Sequence, residues 1–231
     1  FTLNTIRDAL KEIVACFPVY RTYVTAEGIE ADDRRYVEWA TREAEKRSRA
    51  ADTSIFGFIR DVLLVTCKDR EPGSYHRRIL AFAMKFQQYT APVMAKGLED
   101  TCFYIYNRLL TLNEVGGDPR HFGTTVATFH QANQERAEQW PHSMLGTSTH
   151  DSKRSEDVRC RIAVLSEIPR MWSQRVRRWN RLNQSLKTRL GKANAPSKND
   201  EYGLYQILLG AWPLESLDET KLKNFTGRIS Q

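Results

Sequence analysis

The sequence predicts a mainly α-helical protein. Apolar residues recur at helical spacing along most of the chain, and strand-compatible runs are confined to two short stretches, Val19 to Val24 and Ser143 to Thr149. Prolines punctuate the periodic segments, as at Pro18, Pro72, Pro141 and Pro169.

The elements follow in order. Leu3, Ile6, Leu10, Ile13, Val14 and Phe17 make one apolar face that Pro18 stops, and the β-prone run Val19 to Val24 comes next. Asp32 and Asp33 are placed to cap a long charged helix reaching about Arg49. Ser54 is placed to cap another, with Ile55, Phe58, Ile59, Val62 and Leu63 turned inward. Pro72 and Gly73 mark a turn. Two helices are expected across Tyr75 to Tyr89 and Glu99 to Leu112, the first ending ahead of Pro92, because a residue before proline is biased away from the helical region. Asn113 to Pro119 (NEVGGDP) is a loop by composition, and a helix from about Thr124 to Gln139 stops before Pro141. After the strand-like Ser143 to Thr149, THDSKRSED opens a helix with acids in its first turn, as the helix dipole favours. Helices resume from Asp157 and break at Pro169. A polar linker, Gly191 to Asn199, is expected as a mobile loop before a last helix around Tyr202 to Trp212.

The 231 residues carry 35 Lys plus Arg, 28 Asp plus Glu, 41% hydrophobic and 27% charged residues. That balance suits a globular core and excludes wholesale disorder. Apolar stretches such as Ala81 to Met84 and Ile207 to Leu209 are far short of the roughly 20 residues needed to span a bilayer. The chain begins at Phe1 without signal-peptide features, and the expectation is an interior piece of a larger cytoplasmic polypeptide. Cys16, Cys67, Cys102 and Cys160 lie far apart in apolar helical patterns and read as buried thiols of a reducing compartment. The histidines show no metal-ligand spacing, so neither a metal nor another cofactor is expected.

The net charge of +7 invites a nucleic-acid reading. The densest basic stretch, Arg170 to Arg189, places Trp172, Val176, Trp179 and Leu182 on one helical stripe and its arginines elsewhere. This is a solvated helix anchored by tryptophans. A basic helical nucleic-acid module is therefore a distant alternative, and nucleic acid is not an expected partner.

Two clusters carry chemistry. Thr149-His150-Asp151 lies between the strand-like run and a helix start, where polar residues at the end of a barrel strand serve hydrogen bonding to sugars or phosphates. The competing reading makes Asp151 or Ser152 the N-cap of the following helix. Lys96, Glu99 and Asp100 gather near Gly97, with acids that suit either acid–base work or the first turn of a helix.

Further strings lie in order along the chain: Phe17 to Tyr23 (FPVYRTY), Phe86-Gln87-Gln88, Pro92 to Tyr104 (PVMAKGLEDTCFY), Arg108 to Pro119 (RLLTLNEVGGDP), Thr149 to Arg161 (THDSKRSEDVRCR), Leu165 to Pro169 (LSEIP) and Asn199 to Pro213 (NDEYGLYQILLGAWP). Together they resemble the maltooligosyl trehalose synthase family, the (1→4)-α-D-glucan 1-α-D-glucosylmutases of the α-amylase superfamily (glycoside hydrolase family 13).

The resemblance implies a helical insertion over residues 1 to 140 and an incomplete C-terminal part of an (α/β)8 barrel over residues 141 to 231. It implies a retaining intramolecular transfer that turns the reducing-end α-1,4 linkage of a maltooligosaccharide into an α,α-1,1 linkage. Asp151 takes the part of the transition-state carboxylate, and His150, Lys96, Glu99, Asp100, Lys153 and Arg154 bind substrate. Ser152 departs from the threonine expected in the family. The nucleophile and the acid/base fall outside this chain, so the fragment alone is expected to be inactive and to need the remainder of its own polypeptide. A hydrolase or glucanotransferase of the same superfamily is the nearer alternative.

Overall fold

The computed structural model describes residues 1–50, 52–67 and 73–230. Nine α-helices and one short hairpin are formed among them, arranged in two compact units, Phe1–Asp100 and Thr101–Gln231. The mainly helical expectation holds. The expected division between residues 140 and 141 falls inside the second unit.

The first unit contains α1 (Leu3–Ala15), α2 (Ala31–Arg47), α3 (Ser54–Leu63) and α4 (Ser74–Met94). Thr2 and Thr5 form a reciprocal capping box that satisfies the first amides of α1. Ala40 and Ala44, one turn apart on α2, are fully buried, so the backbone of α2 approaches its neighbours closely. Phe56, Ile59 and Leu63 of α3 complete the core, and Phe17 meets Phe86 edge to face at 5.6 Å.

Several expectations for this unit are corrected. Val19 to Val24 forms no strand. Its polar backbone is satisfied by α4 side chains instead: Val24 N–H donates to Gln87 Oε1 at 2.9 Å, Gln87 Nε2 donates to Val24 O at 2.9 Å, and Thr90 Oγ1 donates to Tyr20 O at 2.7 Å. On α3 the inward aromatic is Phe56, while Phe58 is exposed, because the buried stripe runs 56, 59, 63. The caps also differ. Glu30 precedes α2, and Asp33 turns back to accept from Tyr23 N–H at 2.9 Å; Asp52 accepts from Ser54 N–H at 2.9 Å, with Thr53 at the cap position of α3. Pro72 lies outside the described residues.

The helix through Pro92 is the largest departure. Proline's fixed φ suits a helix, and only its missing amide and its ring disturb the preceding turn. The chain continues through Pro92 and then widens into a π turn, Ala95–Glu99. No helix spans Glu99 to Leu112. Two 3-10 turns, Cys102–Tyr104 and Leu110–Leu112, take its place, and the Asn113 amide donates to Phe103 O and Tyr106 O, both at 2.8 Å.

The second unit contains α5 (Val126–Gln139), α6 (Glu156–Ala163), α7 (Pro169–Leu182), β1 (Thr188–Leu190), β2 (Ala193–Ala195), α8 (Lys198–Ala211) and α9 (Glu219–Ile229). Its centre is α8 against α6 and α7. Gly210 makes room for α6, since a Cβ there would lie 2.7 Å from Val158 Cγ1. Trp172 and Trp179 pack on Tyr202 and Tyr205, and Trp172 Nε1 donates to the Tyr202 hydroxyl at 3.1 Å. The tryptophan stripe forms as expected except at Leu182, which is exposed, and the arginines of α7 face solvent.

Here too the strand-like Ser143 to Thr149 is irregular and exposed. The linker is instead a hairpin, with Thr188 opposite Ala195 and Gly191 at φ 59° in its turn. The helix α9 was not anticipated, and Cys102 and Cys160 are exposed where buried thiols were expected. Among the described residues no helix is long and apolar enough to cross a membrane.

Candidate functional site

Residues 149–152 form a tight turn. Ser152 N–H donates to Thr149 O at 3.2 Å, and Thr149 N–H donates to Ser152 Oγ at 2.8 Å, so the Ser152 side chain closes the turn from inside. His150 and Asp151 occupy its tip and are exposed. The helix that follows begins only at Glu156, with Ser155 at the cap position. Asp151 and Ser152 are therefore not its N-cap, and the competing reading of this motif is removed.

The residues after the turn point inward. The Lys153 side chain is 8% exposed, with Nζ 3.9 Å from Asp151 Oδ1. Arg154 is partly buried, and loss of hydration holds its guanidinium pKa below the usual value despite the neighbouring Tyr104 and Glu114. Lys153 N–H donates to Glu114 Oε1 at 2.8 Å, and Arg159 Nη1 lies 3.7 Å from Glu114 Oε2. One carboxylate thus accepts the Lys153 amide and faces two guanidinium groups, Arg154 and Arg159, behind the turn that displays another. The sequence reading missed Glu114 because NEVGGDP was read as a loop by composition, with no role for its acid. In that loop Asp118 holds Arg120 in a two-pronged pair, which keeps its carboxyl far below the usual range.

In the first unit the π turn brings Lys96 and Asp100 together as an ion pair, with Lys96 exposed. Glu99 behaves differently. It is 3% exposed and accepts a hydrogen bond from the Tyr20 hydroxyl.

A cleft of about 560 Å³ opens elsewhere in the second unit. Trp172, Tyr202, Phe122, Arg108 and Arg177 line it, and Asp151 does not.

No protein-family model matches the chain. Its architecture is that of one portion of a much larger enzyme: 97% of the chain superposes on 26% of the maltooligosyltrehalose synthase structure from Arthrobacter ramosus, at 31% identity and a TM-score of 0.71. A Sulfolobus tokodaii structure given the same name provisionally matches over 96% of this chain and 25% of its own length, at 31% identity and a TM-score of 0.65. In sequence, a Mycobacterium tuberculosis protein with a provisional assignment as maltooligosyl trehalose synthase is 42% identical over 134 residues, which are 57% of this chain and 16% of that relative. The chain is thus a homologue of a portion of the maltooligosyl trehalose synthases, spanning about a sixth of the curated relative and a quarter of the solved structures.

Proposed function

We propose that this chain is the part of a cytoplasmic maltooligosyl trehalose synthase that supplies the transition-state carboxylate, Asp151. The match of nearly the whole chain to the Arthrobacter ramosus structure carries this reading. In the proposed reaction the α-1,4 bond before the reducing-end glucose is cleaved with a covalent glycosyl–enzyme intermediate. The freed glucose turns, and its anomeric hydroxyl attacks to give an α,α-1,1 linkage. Asp151 accepts from ring hydroxyls and favours the flattened, cationic ring over the ground-state chair.

An exposed turn tip suits this role, because the carboxylate is aimed outward by a turn that its own side chain does not help to close. His150 is its proposed partner on the sugar, Lys153 fixes its charge from behind, and Arg154 is a polar wall. Lys96 and Asp100 are proposed sugar contacts from the π turn. Buried Glu99 is proposed to act by holding that turn through Tyr20 rather than by touching substrate.

The assignment of residues 1 to 140 to a helical insertion and 141 to 231 to part of an (α/β)8 barrel belongs to the same proposal. The remainder of the polypeptide would supply the nucleophile and the acid/base, so the 231 residues alone should not turn over substrate. A covering partner also accounts for α5, in which no residue is buried, and for its exposed neighbours Phe122, Trp140 and Met144. Helices of this length are marginal in water without a packed face.

The test is to incubate the full-length polypeptide with maltopentaose and follow its products. Loss of reducing ends with little free glucose is expected. New reducing ends would instead make it a hydrolase, and longer and shorter maltooligosaccharides with the number of reducing ends unchanged would make it a glucanotransferase.

A further inference from the structure

We infer that Glu114 is a positioning residue for Asp151, an inference that rests on the proposed role of that carboxylate. The segment from Pro141 to Asp151 is exposed throughout, so the 149–152 turn owes its orientation to its anchors. Two of these converge on one ion pair. On the N-terminal side Arg159 donates to Thr147 O; on the C-terminal side Lys153 N–H donates to Glu114 Oε1 at 2.8 Å. Glu114 and Arg159 face each other at 3.7 Å, so the pair clasps both flanks of the turn.

Glu114 is itself held rigidly. Gly117 N–H donates to Glu114 O at 2.8 Å, and a Cβ at Gly117 would sit 2.9 Å from that oxygen, so the loop closes tightly only around glycine. The preceding Asn113 is pinned through its amide to Phe103 O and Tyr106 O. The Glu114 carboxylate is thus a fixed point that grips the chain at Lys153, two residues after Asp151. Without it the Lys153 amide loses this acceptor, and the C-terminal flank of the turn is held less firmly than the N-terminal flank, which Arg159 and Glu156 still grip at Thr147. A misplacement near 1 Å at a reacting group costs about 10²-fold in rate.

The experiment uses the full-length polypeptide turning over maltopentaose, with Asp151→Asn as comparator. Glu114→Ala is expected to lower kcat about 10- to 100-fold with KM changed less than about 3-fold, the signature of lost alignment rather than lost binding. Glu114→Gln keeps an acceptor for the Lys153 amide and should recover most of that loss. Full kcat in Glu114→Ala, with Asp151→Asn inactive, would overturn the inference and leave the Asp151 reading intact. An active Asp151→Asn enzyme would remove the reading itself. If Glu114→Ala does not fold, Glu114→Asp decides: a carboxylate too short to reach the amide should cost at least about 10-fold in kcat with melting little changed. Unchanged kcat or an unfolded protein in that variant would make Glu114 a fold residue and contradict the proposal.

Discussion

Replacing Gln87 by leucine isolates one structural idea, that a side-chain amide stands in for a missing β-neighbour. Gln87 is 3% exposed and Val24 2% exposed, and the Gln87 amide serves both backbone groups of Val24 at 2.9 Å. Leucine fills similar volume and pairs with neither. Each buried group left without a partner costs about 1–3 kcal/mol, partly offset by the added apolar side chain. The net expectation is a loss of about 3 kcal/mol, or a melting shift of roughly 6–12 °C for a chain of this size. Urea unfolding read by far-UV circular dichroism measures the loss, and exchange of the Val24 amide reports the local opening. Gln88→Leu, one position along on the exposed side of α4, should change stability by less than about 0.5 kcal/mol. A Gln87→Leu protein as stable as the parent, with its Val24 amide still protected, would refute the reasoning.

Two further outcomes are expected. Lys187 and Glu201 form a pair whose side chains are 6% and 3% exposed. Burial alone would raise the Glu201 carboxyl, but the hydrogen bonds from Lys187 and Tyr205 outweigh it and hold the group below its ordinary 4.5; the Tyr205 hydroxyl is pushed up to about 12 by burial and by Glu201. A carboxyl lowered in the folded state contributes stability above its unfolded value and loses it as pH falls through the folded one. Lys187→Met should therefore cost about 3 kcal/mol near pH 7, with the gap to the parent closing below pH 4.5, as urea titrations at several pH values would show. A constant gap across that range would contradict it. Gly210→Ala should cost about 1–3 kcal/mol, because the new methyl meets stiff Val158 and Ile162 side chains at the α6–α8 crossing. A neutral substitution there, measured by thermal unfolding, would show that the crossing relaxes freely.

Helices with a one-sided apolar period, such as α1 and α7, were legible because their pattern and their packing agree. Two of the errors share a cause: short runs whose backbone groups are taken by a side chain from outside the run. Val19 to Val24 has strand composition, yet its partner is Gln87 on α4; Glu99 to Leu112 has helical spacing, yet Asn113 takes its carbonyls. Pro92 misled because proline's own φ is helical and the cost falls on the preceding turn, a balance that the residue alone does not decide. At the candidate site the THD motif marked the displayed carboxylate, while Glu114, which reaches Lys153 across 39 positions, carried no local signal.

The most direct test of the account is the Asp151→Asn substitution in the full-length polypeptide, assayed on maltopentaose. Asparagine keeps the shape of the turn tip and removes the charge. The account predicts a folded protein whose kcat falls by at least about 10³-fold. Turnover within a few-fold of the parent would contradict it and leave Asp151 an ordinary surface residue on a well-made turn.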